Sequence, residues 1–196
     1  MTDNADLSRR HFLMAATAVT GGVGVVATAV PFVASFRPSA RAQALGAPVE
    51  VDISKLEPGA LLSVEWRGRA IMVVRRTDFM LDALAQVQGE LADPASEVSL
   101  QPEYATNDHR SIRPEFLVVE GVCTHLGCAP TARFDVAPAD LGADWPGGFY
   151  CPCHGSKFDL AGRVYRGVPA PTNLSIPPHR YLTEGVLLIG SDTGMA

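Results

Sequence analysis

From Phe12 to Phe36 the chain runs 25 residues without a charge. In helical form that run extends roughly 37 Å at about 1.5 Å per residue, longer than a hydrocarbon core of about 30 Å. The pattern predicts a membrane-crossing helix over 12–36, kinked at Pro31, which such helices tolerate. Residues 37–48, "RPSARAQALGAP", are small, polar or mildly apolar without a strand pattern and read as a flexible hinge. The rest, 49–196, changes character. "LLSVEW" at Leu61–Trp66 and "AIMVVRR" at Ala70–Arg76 read as two strands joined at "RGR" in a hairpin. The period then lengthens, with Met80, Leu84, Val87 and Leu91 at i, i+4, i+7 and i+11 predicting one short amphipathic helix. Asp78 is placed to cap its start and Pro94 lies beyond its end. Its apolar stripe reads as core packing.

Ser96 to Pro114 is polar and rich in turn residues, an expected exposed insertion. "EFLVVEG" at Glu115–Gly121 and "GGFYC" at Gly147–Cys151 read as strands that each end in a cysteine-bearing segment. "DLAGRVYRG" predicts a hairpin around Ala161 and Gly162, and "YLTEGVLLIG" a final one. The expected fold class is mainly β: a single N-terminal transmembrane helix, then an antiparallel β head with one short helix.

Composition narrows the partners. A net charge of -5 leaves no basic stripe for a nucleic-acid backbone, and 196 residues can bury a core without disulfides. Eighteen glycines and fifteen prolines fit short strands and many turns. Arg9 and Arg10 in "SRRHFLM" resemble a twin-arginine export signal, which makes residues 1–11 a cytoplasmic segment. "ARA" at Ala40–Ala42 looks like a cleavage site, but signal cores usually run about 7–15 residues, so the length of the apolar run favours retention as an anchor.

All four cysteines fall in two boxes, "CTHLGC" at 123–128 and "CPCHGS" at 151–156. Two disulfides are one reading for an exported chain. Two histidines at fixed offsets count against it, since Cys123 precedes His125 by two and Cys151 precedes His154 by three. Zinc accepts two thiolates and two imidazoles, yet zinc knuckles usually draw Cys-x-x-Cys pairs from one turn. Here each turn offers one sulfur and one nitrogen. That suits two different metal ions, one iron held by thiolates and the other by imidazoles, with sulfides between them.

The two boxes resemble those of Rieske iron-sulfur proteins, and "GVPAP" at Gly167–Pro171 is similar to that family's proline loop. The likeness runs over nearly the whole chain and is nearest to the iron-sulfur subunit of bacterial ubiquinol-cytochrome c reductase, the cytochrome bc1 complex. The resemblance implies one [2Fe-2S] cluster per chain in a cluster-binding subdomain at about 121–171. Cys123 and Cys151 would hold the buried iron, His125 and His154 the outer one, and Cys128 and Cys153 would form a disulfide between the loops. Ser156 would donate to a bridging sulfide. Gly127, Pro152 and Gly155 would let the backbone approach the sulfides, while Leu126, Gly127 and Pro169 would shield the cluster and dock.

The implied activity is quinol-cytochrome c reductase, as a subunit of a dimeric membrane complex with its head in the periplasm and its helix in the bacterial inner membrane. His154 would meet ubiquinol and take its proton, cytochrome b would receive the second electron, and cytochrome c1 would be the acceptor from the head. At Phe158 the family's high-potential members carry a tyrosine, so its phenyl ring implies a lower potential. The alternative is the small Rieske subunit of a soluble periplasmic oxidoreductase such as arsenite oxidase. His11, His109 and His179 lack neighbouring ligands and are expected at the surface or an interface, and Trp66 and Trp145 in packing roles.

Overall fold

The computed structural model describes residues 3–98 and 101–193 of the chain. It divides into two compact units, Met1–Ala44 and Leu45–Ala196. In the first, helix α1 spans Asp3–Ala34, two residues short of the expected end, with Pro31 inside it. Its 29-residue stretch Asp6–Ala34 is long and apolar enough to cross a membrane, and none of the side chains in its most apolar window is buried by protein. Thr17, Thr20 and Thr28 turn their hydroxyls back onto carbonyls four residues earlier, which hides three polar groups along the helix. The hinge segment is not structureless. Helix α2 occupies Ala40–Gly46, with no residue buried, and Ser39 Oγ accepts the Ala42 N–H at its start.

The second unit is built from three small antiparallel sheets. Strand β1 (Val49–Asp52) pairs with β9 (Val186–Ile189), which pairs with β8 (His179–Thr183). The second sheet is β2 (Leu61–Trp66), β3 (Arg69–Arg75) and β4 (Phe116–Glu120). The third is β5 (Thr131–Arg133), β6 (Gly148–Cys151) and β7 (Ser156–Phe158). The expected hairpins over 61–76 and 181–190 form. The first turns on Arg67 and Gly68, both at positive φ (53° and 72°), as a tight two-residue hairpin requires. Strands β1, β5 and β7 were not singled out by the hydrophobic pattern.

The middle sheet explains why β3 and β4 are almost continuously apolar. Ile71, Val73, Phe116 and Val118 face a core shared with Val51, Leu187 and Ile189 of the first sheet. Met72, Val74, Leu117 and Val119 face the other way, onto a core containing Cys123, Phe149, Cys151 and Phe158. A sheet buried on both faces cannot show a polar alternation. The consequence is a rigid floor under both cysteine segments.

Helix α3 spans Asp78–Gln86, and its cap is Thr77, not Asp78: the Thr77 hydroxyl accepts the Met80 N–H. Such a cap contributes about 1 kcal/mol. Val87 ends the helix, and a single 3-10 turn at Gln88–Glu90 carries the chain to Leu91. Met80, Ala83 and Leu84 pack on Leu160 and Ala161, so the helix braces the segment that follows β7. That segment makes a tight turn with one bridge, Phe158 to Val164, in place of a full second strand.

Two expectations about polar residues fail. The stretch from Ser96 to Pro114 is not simply exposed, because Ser96, Ala105, Arg110 and Ser111 are buried within it. His179 is a core residue, 1% exposed, packed edge-on against Tyr104 and hydrogen-bonded through Nδ1 to the Pro177 carbonyl. His11 is exposed and His109 partly buried. Trp66 and Trp145 are both packed in cores as expected.

Candidate metal centre

Strand β4 delivers the first box and the β6–β7 hairpin delivers the second. Both boxes fold as the same turn. The Cys123 carbonyl accepts the Gly127 N–H at 2.9 Å, and the Cys151 carbonyl accepts the Gly155 N–H at 2.9 Å. Gly127 and Gly155 sit at φ of 84° and 78°, where a side chain is strained, which is why glycine occupies the same place in each turn. The Cys123 N–H closes the first turn by donating to the Cys128 carbonyl at 2.7 Å.

The turns sort their donors by depth. Cys123 and Cys151 are each 2% exposed, whereas His154 is exposed and His125 partly so. The two imidazoles meet edge to face, with ring centroids 4.8 Å apart. Burial pushes the Cys123 thiol up, with the neighbouring Cys151 adding to the rise; the His125 N–H and the Ser156 hydroxyl beside the sulfur pull the other way. Leu126, at the tip of the first turn, is 73% exposed. Gly127 and Pro169 are exposed as well.

Cys128 and Cys153 form a disulfide with Cα atoms 6.6 Å apart, fastening one turn to the other. The Sγ atoms of Cys128, Cys151 and Cys153 lie within 4.8 Å of one another. That trio is no mononuclear metal site, because two of its sulfurs are bonded to each other. The donors left are two buried thiols and two outward imidazoles. A [2Fe-2S] group with sulfur ligands at one pole and nitrogen ligands at the other fits this set.

The supporting contacts tie the two boxes to the proline segment and reach into stretches that carry no motif. Ser156 Oγ accepts the Ala170 N–H at 3.0 Å, joining the second turn to the proline segment. Thr124 Oγ1 donates to the Thr172 carbonyl at 2.7 Å and joins the first turn to the same segment. Beyond β7, Asp159 and Arg163 form a buried ion pair at 2.7 Å, with side chains 1% and 0% exposed. Asp159 Oδ1 also accepts the Ala161 and Arg163 N–H groups, so a single carboxylate closes the turn. Arg76 donates to the carbonyls of His109, Pro114 and Leu160, and Arg110 to those of Ala161, Gly162 and Leu174. Burial depresses both of these guanidinium groups to about 10, opposed by the Asp159 charge. The only advance sign of this network was the Asp-x-x-x-Arg spacing in "DLAGR".

A cleft of about 540 Å³ on the head lies elsewhere, between Ile53, Arg75, Arg113 and Glu184. None of the cysteine or histidine donors lines it.

Comparison with known proteins agrees with the geometry. Residues 94–178 match the Rieske [2Fe-2S] domain, and residues 1–39 match the TAT signal of the ubiquitinol-cytochrome C reductase Fe-S subunit. The ubiquinol-cytochrome c reductase iron-sulfur subunit of Allochromatium vinosum is 61% identical over 188 residues, covering 96% of this chain and 91% of that one. The subunit of the same name from Blastochloris viridis is 40% identical over 194 residues, covering 97% of each. Among solved structures, a chain of a hyperthermophilic respiratory Complex III aligns with a TM-score of 0.48 at 26% identity, covering 90% of this chain and 98% of that one. Sheets, paired turns and matched domain together define a Rieske iron-sulfur protein. The chain belongs to the family of ubiquinol-cytochrome c reductase iron-sulfur subunits.

Proposed function

We propose that this chain is the membrane-anchored electron-transfer subunit of a cytochrome bc1 complex, oxidising ubiquinol and passing the electron to cytochrome c1. The observation that carries the reading is the depth sorting of the donors, two thiols inside and two imidazoles outside, on turns clasped by a disulfide. In this assignment Cys123 and Cys151 hold one iron, and His125 and His154 hold the other. The bound group supplies one-electron chemistry at a potential raised by neutral imidazoles in place of two thiolates.

The protein's own residues do the rest. His154, exposed at the second turn, presents its outer ring nitrogen to the quinol hydroxyl and takes the proton. Leu126, Gly127 and Pro169 form the apolar rim that excludes water and rests on cytochrome b. Ser156 and the two turn glycines hold the donors in place. Residues 37–48, with α2 at their centre, serve as the hinge between the anchor and a periplasmic head of residues 49–196, and residues 121–171 form the cluster-binding part of that head. Arg9 and Arg10 direct export of the folded chain, and α1 then holds it in the inner membrane.

Purification from membranes tests the whole assignment. Cytochromes b and c1 should co-purify, and quinol-dependent cytochrome c reduction should be lost in Leu126→Asp while the reduced-state magnetic spectrum persists. Recovery of the mature chain from the soluble periplasm on a different large subunit would contradict it.

A further inference from the structure

Three sulfurs, not two, meet at the disulfide. Cys128, Cys151 and Cys153 bring their Sγ atoms within 4.8 Å of one another. Only Cys128 and Cys153 are joined, and Cys151 is a buried free thiol. A thiol lying against a disulfide is the reactant pair of thiol–disulfide exchange, in which the attacking sulfur forms the new bond and one old partner leaves. We propose that Cys151, whenever it is not engaged as a ligand, attacks the Cys128–Cys153 disulfide and takes over the cross-link, so that loss of iron closes the site covalently. The inference rests on the ligand assignment above, because ligation is what keeps the Cys151 sulfur from attacking.

The step balances without an outside reagent. Cys151 Sγ bonds to Cys128 Sγ, the Cys128–Cys153 bond breaks, and its electron pair leaves on Cys153. The proton given up by Cys151 is returned to the Cys153 sulfur through water. One disulfide and two thiols stand on each side of the equation, so nothing is oxidised or reduced overall. The direction follows from exposure. Cys153 is exposed and Cys128 only partly so. A departing thiolate on Cys153 forms where water solvates it, whereas attack on Cys153 would leave the charge on the more sheltered Cys128. Cys123, whose sulfur neighbours that of Cys151, does not join the group of three, so Cys151 is the thiol placed for the first attack.

The result matters for the fate of the protein. Two of the four donors, His125 and His154, survive the exchange, but one of the two thiols is consumed. Refilling the site then requires the reverse exchange first, in which the Cys153 sulfur attacks Cys128 and frees Cys151.

Full-length protein in detergent gives the test. Iron and acid-labile sulfide are measured first, and their absence would defeat the ligand assignment rather than the exchange. Half of the loaded sample is then stripped with an iron chelator without added thiol, and both halves are alkylated and mapped by mass spectrometry without reduction. The loaded half should show Cys128–Cys153 alone. The stripped half should show Cys128–Cys151 as the main cross-link, with Cys123 and Cys153 alkylated. Stripped protein that keeps Cys128–Cys153 and alkylates Cys151 would overturn the proposal. So would Cys123 entering disulfides as readily as Cys151, since that is the signature of an unfolded chain. In Cys151→Ser protein the Cys128–Cys153 bond should persist without metal, and its loss there would likewise count against the exchange.

Discussion

Ser156 and Ala170 lock the second cysteine turn to the proline segment: the serine Oγ accepts the alanine N–H at 3.0 Å, and the two residues are 1% and 5% exposed. Because that oxygen is already an acceptor there, its own hydrogen is free to point at the Cys123 sulfur beside it. Ser156→Ala removes both contacts. It should destabilise the head by about 1–3 kcal/mol, the cost of leaving a buried N–H unpaired. It should also lower the midpoint potential, because a donor to the site favours the more negative reduced state. Thermal melting and redox titration read the two effects, and an unchanged potential would remove Ser156 from the tuning role.

Phe158 offers the opposite test. Its ring is fully buried in the same core as Cys123 and Cys151, and β7 sets it opposite Phe149. Phe158→Tyr adds a hydroxyl without altering the ring. A hydrogen bond stronger in the reduced state by about 1.4 kcal/mol corresponds to about 59 mV for one electron. The midpoint should rise by an amount of that order. A titration showing no change or a fall would mean that the phenolic group finds no sulfur to donate to.

The Asp159–Arg163 pair is dispensable only as a pair. Arg163→Met takes its ion-pair partner from the buried Asp159, while two backbone N–H groups and the charges of Arg76 and Arg110 still face it, so the loss should fall below the roughly 3–5 kcal/mol typical of a wholly unpaired buried charge. Adding Asp159→Asn to it should restore part of that loss. Urea denaturation of the single and double variants checks the coupling, and additive losses would show that the two residues act independently.

His179 predicts a pH dependence of stability. Burial holds its imidazole below the usual histidine range, with the Pro177 carbonyl opposing. The folded chain therefore binds fewer protons than the unfolded one below about pH 6.5. Stability is full above that value and falls as the pH drops through it, by at most about 1.4 kcal/mol per pH unit. His109, also depressed by burial, adds a smaller contribution of the same sign because it is only partly buried. Urea midpoints between pH 8 and pH 5 should decline in the wild type and flatten in His179→Gln; an equally steep decline in the variant would place the titration elsewhere.

Much of the head was legible because its strands obey local rules. The two-sided burial of β3 and β4 shows as uninterrupted Ile, Met, Val and Leu. The paired turns show as two Cys–His–Gly boxes whose glycines fall four residues after each deeper cysteine. What escaped reading depends on partners far away in sequence. Arg110 sits in a polar stretch that looks exposed, and only the fold brings it under the carbonyls of Ala161, Gly162 and Leu174. His179 has no local sign of burial, since Tyr104, whose hydroxyl accepts the His179 N–H, lies 75 residues earlier. The cap moved from Asp78 to Thr77 because both side chains can accept at a helix start and the backbone decides between them. Helix α2 formed where a linker was expected, as Ala, Gln and Leu favour helix even without an apolar face.

The most direct measurement is metal and acid-labile sulfide analysis of the native protein, joined to electron-nuclear spectroscopy of the reduced state. The account predicts about two irons and two sulfides per chain, with coupling to two imidazole nitrogens that is disrupted in His125→Ser and in His154→Ser. Zinc without sulfide, or an iron signal with no nitrogen coupling, would contradict it.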